Sequence, residues 1–432
     1  MTTEGEKPQT TAPPAGSAKR ALVGRLSWGL ADQAASSMSN FAVGIYVARS
    51  LGVTAFGVFS LAWVTCGVVL NVSRGLATDP LVVRFSGVSD ASWRGAVARS
   101  SGTALSVGVS IGAACLVVGL ALGGRLGPAF ACLGVMLPGL LLQDAWRFSF
   151  FAAGIGRKAF VNDLVWGVAL VPALVVAARV GSVAAFVLAW GASATVAAGY
   201  GCVQSGIRPR MTGARGWLRE QRDLGYRYLV ENVSLSGASQ LRAYGLGAIV
   251  GVGAVGAVRG GELLLGPFLA VLMGLSLVTV PEAARVLRRA PHRLGTFCLL
   301  LGGGQAAGAL FWGGALLLMP GRLGELVLGG VWHSASELIV PIAFSVAGAG
   351  LGTGAAAGLR ALGAARRSLR CQLFASACYV GGGLGGAAVG GTVGSAWGVA
   401  AATLSGSAVW WLQLRSALRE HHRNPIPEVR TP

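Results

Sequence analysis

Acidic side chains are scarce in this chain: 16 Asp and Glu among 432 residues, against 35 Lys and Arg. All charges together make 12% of the residues, against roughly 25% in soluble domains, and the mean hydropathy is +0.64. An ordinary soluble protein is excluded. Lysine is also rare. Lys7, Lys19 and Lys158 are the full set, none in the Gly-Lys-Ser/Thr context of a phosphate loop, which argues against built-in ATP hydrolysis. The seven cysteines (66, 115, 132, 202, 298, 371 and 378) lie mostly in apolar runs without a CxxC pair and pack as small residues rather than as disulfides or metal ligands. Four histidines, with His421 and His422 adjacent in the tail, make no metal-binding spacing. No metal, cofactor or catalytic residue is expected. No apolar segment precedes a cleavage site near the start, so the first span is expected to be retained.

What is abundant is apolar sequence. Runs of ~20 residues, enough to cross ~30 Å of hydrocarbon, recur throughout. Gly is plentiful at 68 residues, as in membrane helices that pack backbone to backbone. Twelve spans are expected, at 26–47, 56–77, 97–122, 128–151, 160–178, 183–204, 226–249, 257–280, 295–319, 336–358, 371–390 and 393–414. A short interfacial helix can precede the tenth, within 320–335. Pro138, Pro172, Pro267 and Pro341 fall within spans and are candidate kinks. The net charge of +19 then reports topology rather than nucleic-acid binding. Of the 35 basic residues, 28 fall in segments on the side of the N-terminus, five (Arg49, Arg125, Arg179, Arg259 and Arg322) on the opposite side, and Arg74 and Arg242 inside spans. The positive-inside rule places both termini in the cytoplasm.

The chain also repeats itself. Residue n laid against n+199 pairs Asp32 with Glu231 and LGVTAFGVF (51–59) with VGVGAVGAV (250–258). After a two-residue insertion TDPLVVR (78–84) meets TVPEAAR (279–285); GRKA (156–159) then meets ARRS (365–368), and VGS (180–182) meets VGS (393–395). The expected architecture is an all-α polytopic membrane protein of about twelve transmembrane helices in two six-helix lobes of equal orientation, related by an axis along the membrane normal. The expected divisions are a disordered tail 1–20, an N-terminal lobe 21–204, a basic cytoplasmic inter-lobe loop 205–225, a C-terminal lobe 226–416 and a disordered tail 417–432.

The stretches NFAVGIYVARSLGVTAFGVFSLA (40–62), RFSFFAAGIGRKAFVNDLVWG (147–167) and GLRALGAARRSL (358–369) resemble the polysaccharide-export (Wzx-like) flippases of the multidrug/oligosaccharidyl-lipid/polysaccharide (MOP) exporter superfamily. The resemblance runs from roughly residue 25 to 415. It implies two bundles around a central cavity, a bacterial inner-membrane location, and transfer of an undecaprenyl-diphosphate-linked oligosaccharide from the inner to the outer leaflet. It names membrane lipid and lipid-linked glycan as partners, with a polysaccharide polymerase and glycosyltransferases as candidate protein partners. Nucleic acid is not one. Relatives that flip peptidoglycan precursors use Arg and Asp on early helices of each lobe; Asp32, Arg74 and Arg242 fall on comparable helices.

Ionisable residues inside spans cost ~3 kcal/mol or more at the bilayer centre and are functional candidates. Asp32 and its repeat mate Glu231 are either acids near the surface, favoured by the helix dipole, or protonatable sites coupled to an ion gradient. Arg74 and Arg242 either snorkel to the surface or pair with a lipid diphosphate. Neither recurs in the other lobe, since Arg74 meets Met273 or a near neighbour and Arg242 meets Val43. That asymmetry weights them towards cargo. Arg49 and Arg259 can line the exit, although Arg259 and Glu262, three apart, also suit a local surface pair. Asp144, Arg147 and Asp163 suit a salt bridge between spans four and five. A small-molecule antiporter on the same fold is the alternative; a membrane-embedded glycosyltransferase or glycan ligase is disfavoured because the longest exterior segment, 320–335, offers only Arg322, Glu325 and His333.

Overall fold

The computed structural model describes residues 38–86 and 90–423, and for Glu231 and a few others the backbone alone. All regular structure among them is helical. Helix α1 covers residues 38–51, and α2 (Val53–Ser73) passes through a π-turn (Arg74–Thr78) into α3 (Asp79–Phe85). Then follow α4 (Asp90–Ala121), α5 (Leu126–Ala152), α6 (Gly156–Val180), α7 (Val183–Ser205) and the short α8 (Ala214–Glu220). The second half holds α9 (Arg222–Ile249), α10 (Val252–Leu264), α11 (Gly266–Arg289), α12 (Leu294–Leu317), the short α13 (Gly321–Leu328) and α14 (Trp332–Ser336), α15 (Ile339–Ala361) and α16 (Ala365–Arg423).

Eight stretches among the described residues are long and apolar enough to cross a membrane. One of them, α16, doubles back at Gly390–Gly391, where the backbone leaves helical geometry, and supplies two crossings. Helix α9 and the α10–α11 pair occupy two further expected spans, and of the first expected span, 26–47, only 38–47 is described, within α1. α9 is diluted by Arg222, Asp223, Arg227 and Arg242. The α10–α11 break falls at Leu265, where Pro267 has no N–H to give and its ring would meet the Leu263 carbonyl. Of the other prolines, Pro138 and Pro172 sit inside continuous helices, and Pro341 begins one.

Helices overrun their expected ends mostly on the arginine-rich side. α3 reaches Phe85 rather than 77, α4 starts at Asp90 rather than 97, and α11 reaches Arg289 rather than 280. Hydropathy marks where apolar sequence stops, whereas the hydrogen-bonded backbone continues wherever ion pairs hold it. Arg84 meets Asp223 at 2.5 Å, Arg99 grips both oxygens of Glu220 at 2.9 and 2.7 Å, and Arg367 grips both of Glu420 at 2.6 and 2.7 Å. The bonds from Arg367 hold the Glu420 carboxyl below its usual range. The expected disordered tail 417–432 is therefore corrected over 417–423, because α16 stays helical through Arg423; 424–432, like the expected tail 1–20, lies outside the described residues. The expected loop 205–225 is corrected likewise. Its Arg210 N–H donates to the Ala98 carbonyl at 2.7 Å, and α8 buries Trp217, whose indole N–H donates to the Leu76 carbonyl at 3.2 Å.

The repeat appears as reciprocal contacts. A Cβ on Gly57 would lie 1.8 Å from the Val252 carbonyl oxygen, and one on Gly256 would lie 2.1 Å from that of Val53. Both pairs are related by the 199-residue offset, so α2 and α10 cross on a pseudo-two-fold axis with their backbones touching. Gly52 and Gly251, which start the two helices, both have positive φ. Gly154 and Gly363, at the α5–α6 and α15–α16 turns, reproduce the 209 offset of the GRKA and ARRS segments. The VGS match at 180 and 393 is displaced: the structural counterpart of the Gly181 turn is Gly391. Around this crossing each lobe's first helix lies on the other lobe's second. Gly44 of α1 faces Leu263 of α10, and Tyr244 of α9 bonds Thr65 of α2 at 2.7 Å. The arginine-poor end is closed further by the α13–α14 turn, where Gly329 backs onto the Arg49 carbonyl.

Gly57→Val and Gly256→Val should each destabilise the protein by ~1–3 kcal/mol through overpacking, read as a lower thermal midpoint in detergent. Gly303→Ala, in open space, should leave the midpoint unchanged; a similar drop in all three would remove the crossing's special role.

Candidate functional site

The charges inside the N-terminal lobe form a closed network. Arg74, in the π-turn, donates from Nε and Nη2 to Asp144 on α5 at 3.0 and 2.7 Å, with its guanidinium 5.0 Å from the Phe148 ring centroid. The planar fork matches the carboxylate, the geometry in which such a pair is strongest. Arg147 Nε meets Asp163 on α6 at 3.4 Å, and Gln143 donates to the same Asp163 at 2.8 Å. Asn162, fully buried, donates to the Ala197 carbonyl at 2.9 Å. The expected salt bridge among Asp144, Arg147 and Asp163 is thus divided, with Asp144 assigned to Arg74. Arg74, with 30% of its side chain exposed, commits its fork to Asp144. Its absence from the second lobe goes with the absence of its partner, so asymmetry alone does not mark a cargo contact.

The C-terminal lobe arranges its charges differently. Arg242 of α9, only 6% exposed, donates from Nη2 to Glu262 Oε1 of α10 at 2.9 Å. Arg259 donates from Nη1 to Oε2 of the same carboxylate at 3.2 Å. One Glu therefore bridges two guanidinia and leaves one net positive charge. The local Arg259–Glu262 pair that the spacing suggests does form, with 39% and 32% of the side chains exposed, and Arg242 joins it from α9. Each Arg lies seven residues from the helix end facing the arginine-poor side, ~10 Å along the axis. Arg242 also stacks over Tyr379 of α16, 5.2 Å from the ring centroid, and its buried Nε has no hydrogen-bond partner.

This triad faces the other lobe. Arg242, Arg259 and Glu262 line a cavity of about 120 Å³ together with Ser60 of α2. Ser60 and Arg259 are repeat mates, so the cavity sits beside the pseudo-two-fold axis. Arg259 also borders a cleft with Phe56, Phe59 and Trp63, and Trp63 stacks on Trp190 at 4.7 Å between centroids. A cationic face of one lobe thus opposes an aromatic face of the other. A cavity of about 490 Å³ lies within the C-terminal lobe between α9, α11, α15 and α16, from Gly348 at mid-span to Arg360 near the arginine-rich end.

Of the residues picked from sequence, Arg242 and Arg259 come together at this interface. Arg74 stands apart in its own lobe, and Arg49 is exposed at the end of α1. Asp32 lies outside the described residues, and of Glu231 only the helical backbone is described. Sequence reasoning missed the Arg242–Glu262 tie, Tyr379 and the large cavity. Their elements meet only in the fold, although the small residues of α15 were a visible sign of close packing or space.

No family model matches the chain, and no curated relative does. Solved structures do. The inward-facing conformation of a multidrug resistance MATE family transporter of the MOP superfamily is similar over 90% of this chain and 96% of its own, at 14% identity and a TM-score of 0.69. The outward-facing conformation of a multidrug resistance MATE family transporter gives 0.53 at 15% identity, over 94% and 97%. A MOP superfamily transporter from Pyrococcus furiosus, in which reverse polarity of the binding pocket suggests a different function, gives 0.54 at 15% identity, over 93% and 96%. At such identity the likeness carries the fold alone. The chain has the two-lobe fold of MATE and MOP transporters.

Arg74→Met should destabilise the lobe by ~3–5 kcal/mol, because Asp144 is then buried unpaired. The double variant Arg74→Met/Asp144→Leu should recover most of that loss in thermal unfolding. Additive losses would show that the two side chains do not act as a pair.

Proposed function

We propose that the chain is an alternating-access membrane exporter of an anionic, lipid-linked oligosaccharide of the undecaprenyl-diphosphate type, carried from the inner to the outer leaflet of a bacterial inner membrane. The observation that carries this reading is the Arg242–Glu262–Arg259 triad, which presents net positive charge at the lobe interface. Among the described side chains inside spans, Asp144, Asp163 and Glu262 are each tied to Arg, while Asp79 accepts from Asn232. Guanidinia suit a diphosphate because their forked donors match its oxygens. Trp63, partly buried beside Arg259, offers an apolar surface to the lipid. The orientation follows from the distribution of basic residues. With the arginine-poor end outside, the α2–α10 crossing closes the exterior, in keeping with the higher TM-score to an inward-facing relative. An ion gradient or the membrane potential supplies the drive, with Asp32 and Glu231 as the coupling candidates. Glycosyltransferases would supply the cargo on the arginine-rich side, and a polymerase would consume it on the other.

The second reading is a small-molecule antiporter, favoured by the multidrug transporters of the same fold. Deletion of the gene followed by leaflet-resolved detection of lipid-linked glycan separates the two: accumulation on the cytoplasmic face supports the flippase, and its absence sinks it. Arg242→Gln/Glu262→Gln, which removes the buried guanidinium and leaves the triad's net charge unchanged, should lower export by about tenfold or more, the equivalent of ~1.4 kcal/mol, at unchanged membrane protein levels. Normal export in that variant and in Arg259→Gln would dismiss the triad as a cargo site.

A further inference from the structure

The repeat shows what the second lobe has given up. The Gly154 and Gly363 turns give an offset of 209 across α5–α6 and α15–α16. At that offset Gln143, Asp144, Arg147, Phe148 and Asp163 of the N-terminal network correspond to Gly352, Thr353, Ala356, Ala357 and Gln372. All five of these line the 490 Å³ cavity. Upstream, Asp79, which accepts from Asn232 at 2.7 Å, corresponds to Val280, another lining residue. Where one lobe is filled by charged pairs and a phenyl ring, the other is hollow and, Arg360 apart, uncharged.

We propose that this vacated chamber binds an uncharged, polyhydroxylated group, the carbohydrate portion of the cargo; the proposal rests on the lipid-linked glycan reading above. The volume falls in the ~300–1,000 Å³ range of small-ligand cavities. The wall offers hydroxyls from Ser376, Thr403 and Ser407, the Gln372 amide, and the aromatic side chains of Tyr379 and Trp410. These are the donors, acceptors and flat apolar surfaces that sugar rings use. No carboxylate lines it, and Arg360 is its one charge. Arg242, stacked on Tyr379, joins the chamber to the triad, so a diphosphate held at the triad would place its attached sugars beside the cavity.

The test uses the full chain in proteoliposomes with two probes: undecaprenyl diphosphate bearing a neutral tetrasaccharide, and the same lipid bearing a single N-acetylhexosamine. Gly352→Gln/Ala356→Leu refills the chamber; a Cβ on Gly352 comes no closer than 3.9 Å to its neighbours, so the new side chain enters space. Tetrasaccharide transfer should fall by about tenfold while single-sugar transfer changes by less than about twofold. Gln372→Leu, which removes polar atoms with little added bulk, should act in the same direction. Equal losses for both probes, unchanged tetrasaccharide transfer in both variants, or transfer of free tetrasaccharide in place of the lipid-linked one would overturn the proposal. If the unaltered protein moves neither lipid, the cargo reading itself fails and takes the chamber's role with it.

Discussion

Everything in this molecule is arranged around two glycines that let two helices touch. Gly57 and Gly256 bring the backbones of α2 and α10 together within reach of each other's Val carbonyls. In hydrocarbon there is no hydrophobic drive between helices, and association depends on close packing. Because the contact is made twice, by residues related through the repeat, it fixes the axis of the whole structure. The placement of α1 on α10 and of α9 on α2 follows from it, and so does the proximity of Ser60 to Arg259.

Around that axis the chain handles charge by two strategies. The N-terminal lobe neutralises each buried arginine with its own acid, Arg74 with Asp144 and Arg147 with Asp163. Such pairs contribute little net stability against apolar replacements and are damaging when broken, so they specify packing more than they strengthen it. The C-terminal lobe makes one acid serve two arginines and empties the region where the other lobe keeps its pairs. Identical folds therefore carry unlike interiors, one filled and one hollow.

The architecture was legible because apolar length, basic bias and a repeat offset all survive in linear sequence. LGVTAFGVF and VGVGAVGAV lie at the point where the lobes meet, and GRKA and ARRS mark equivalent turns. Arg242 and Arg259 stood out because charge inside an apolar run is conspicuous. Their partners did not. Asp144 lies 70 residues from Arg74 and Tyr379 more than a hundred from Arg242, and nothing in local spacing records such meetings. Helix ends were misjudged mostly on the arginine-rich side for a related reason: the ion pairs that prolong them, such as Arg84 with Asp223, join residues distant in sequence. The cavity was hidden because small residues in a membrane helix announce either a tight contact or a hollow, and the two are told apart only by what stands opposite.

The π-turn at Arg74–Thr78 has a consequence for how the halves can diverge. A π-turn admits one additional residue, and each residue in a helix turns it by ~100°, so the turn resets the face that α3 presents relative to α2. The other lobe absorbs its own insertion at Leu265 instead. The junction at the arginine-poor end brings together repeat mates, Gly57 and Gly256, whereas the junction at the arginine-rich end brings together unlike residues. Asp79 answers to Asn232, but Val280 faces a cavity. The halves stay matched where their backbones touch, and they have diverged where only side chains meet.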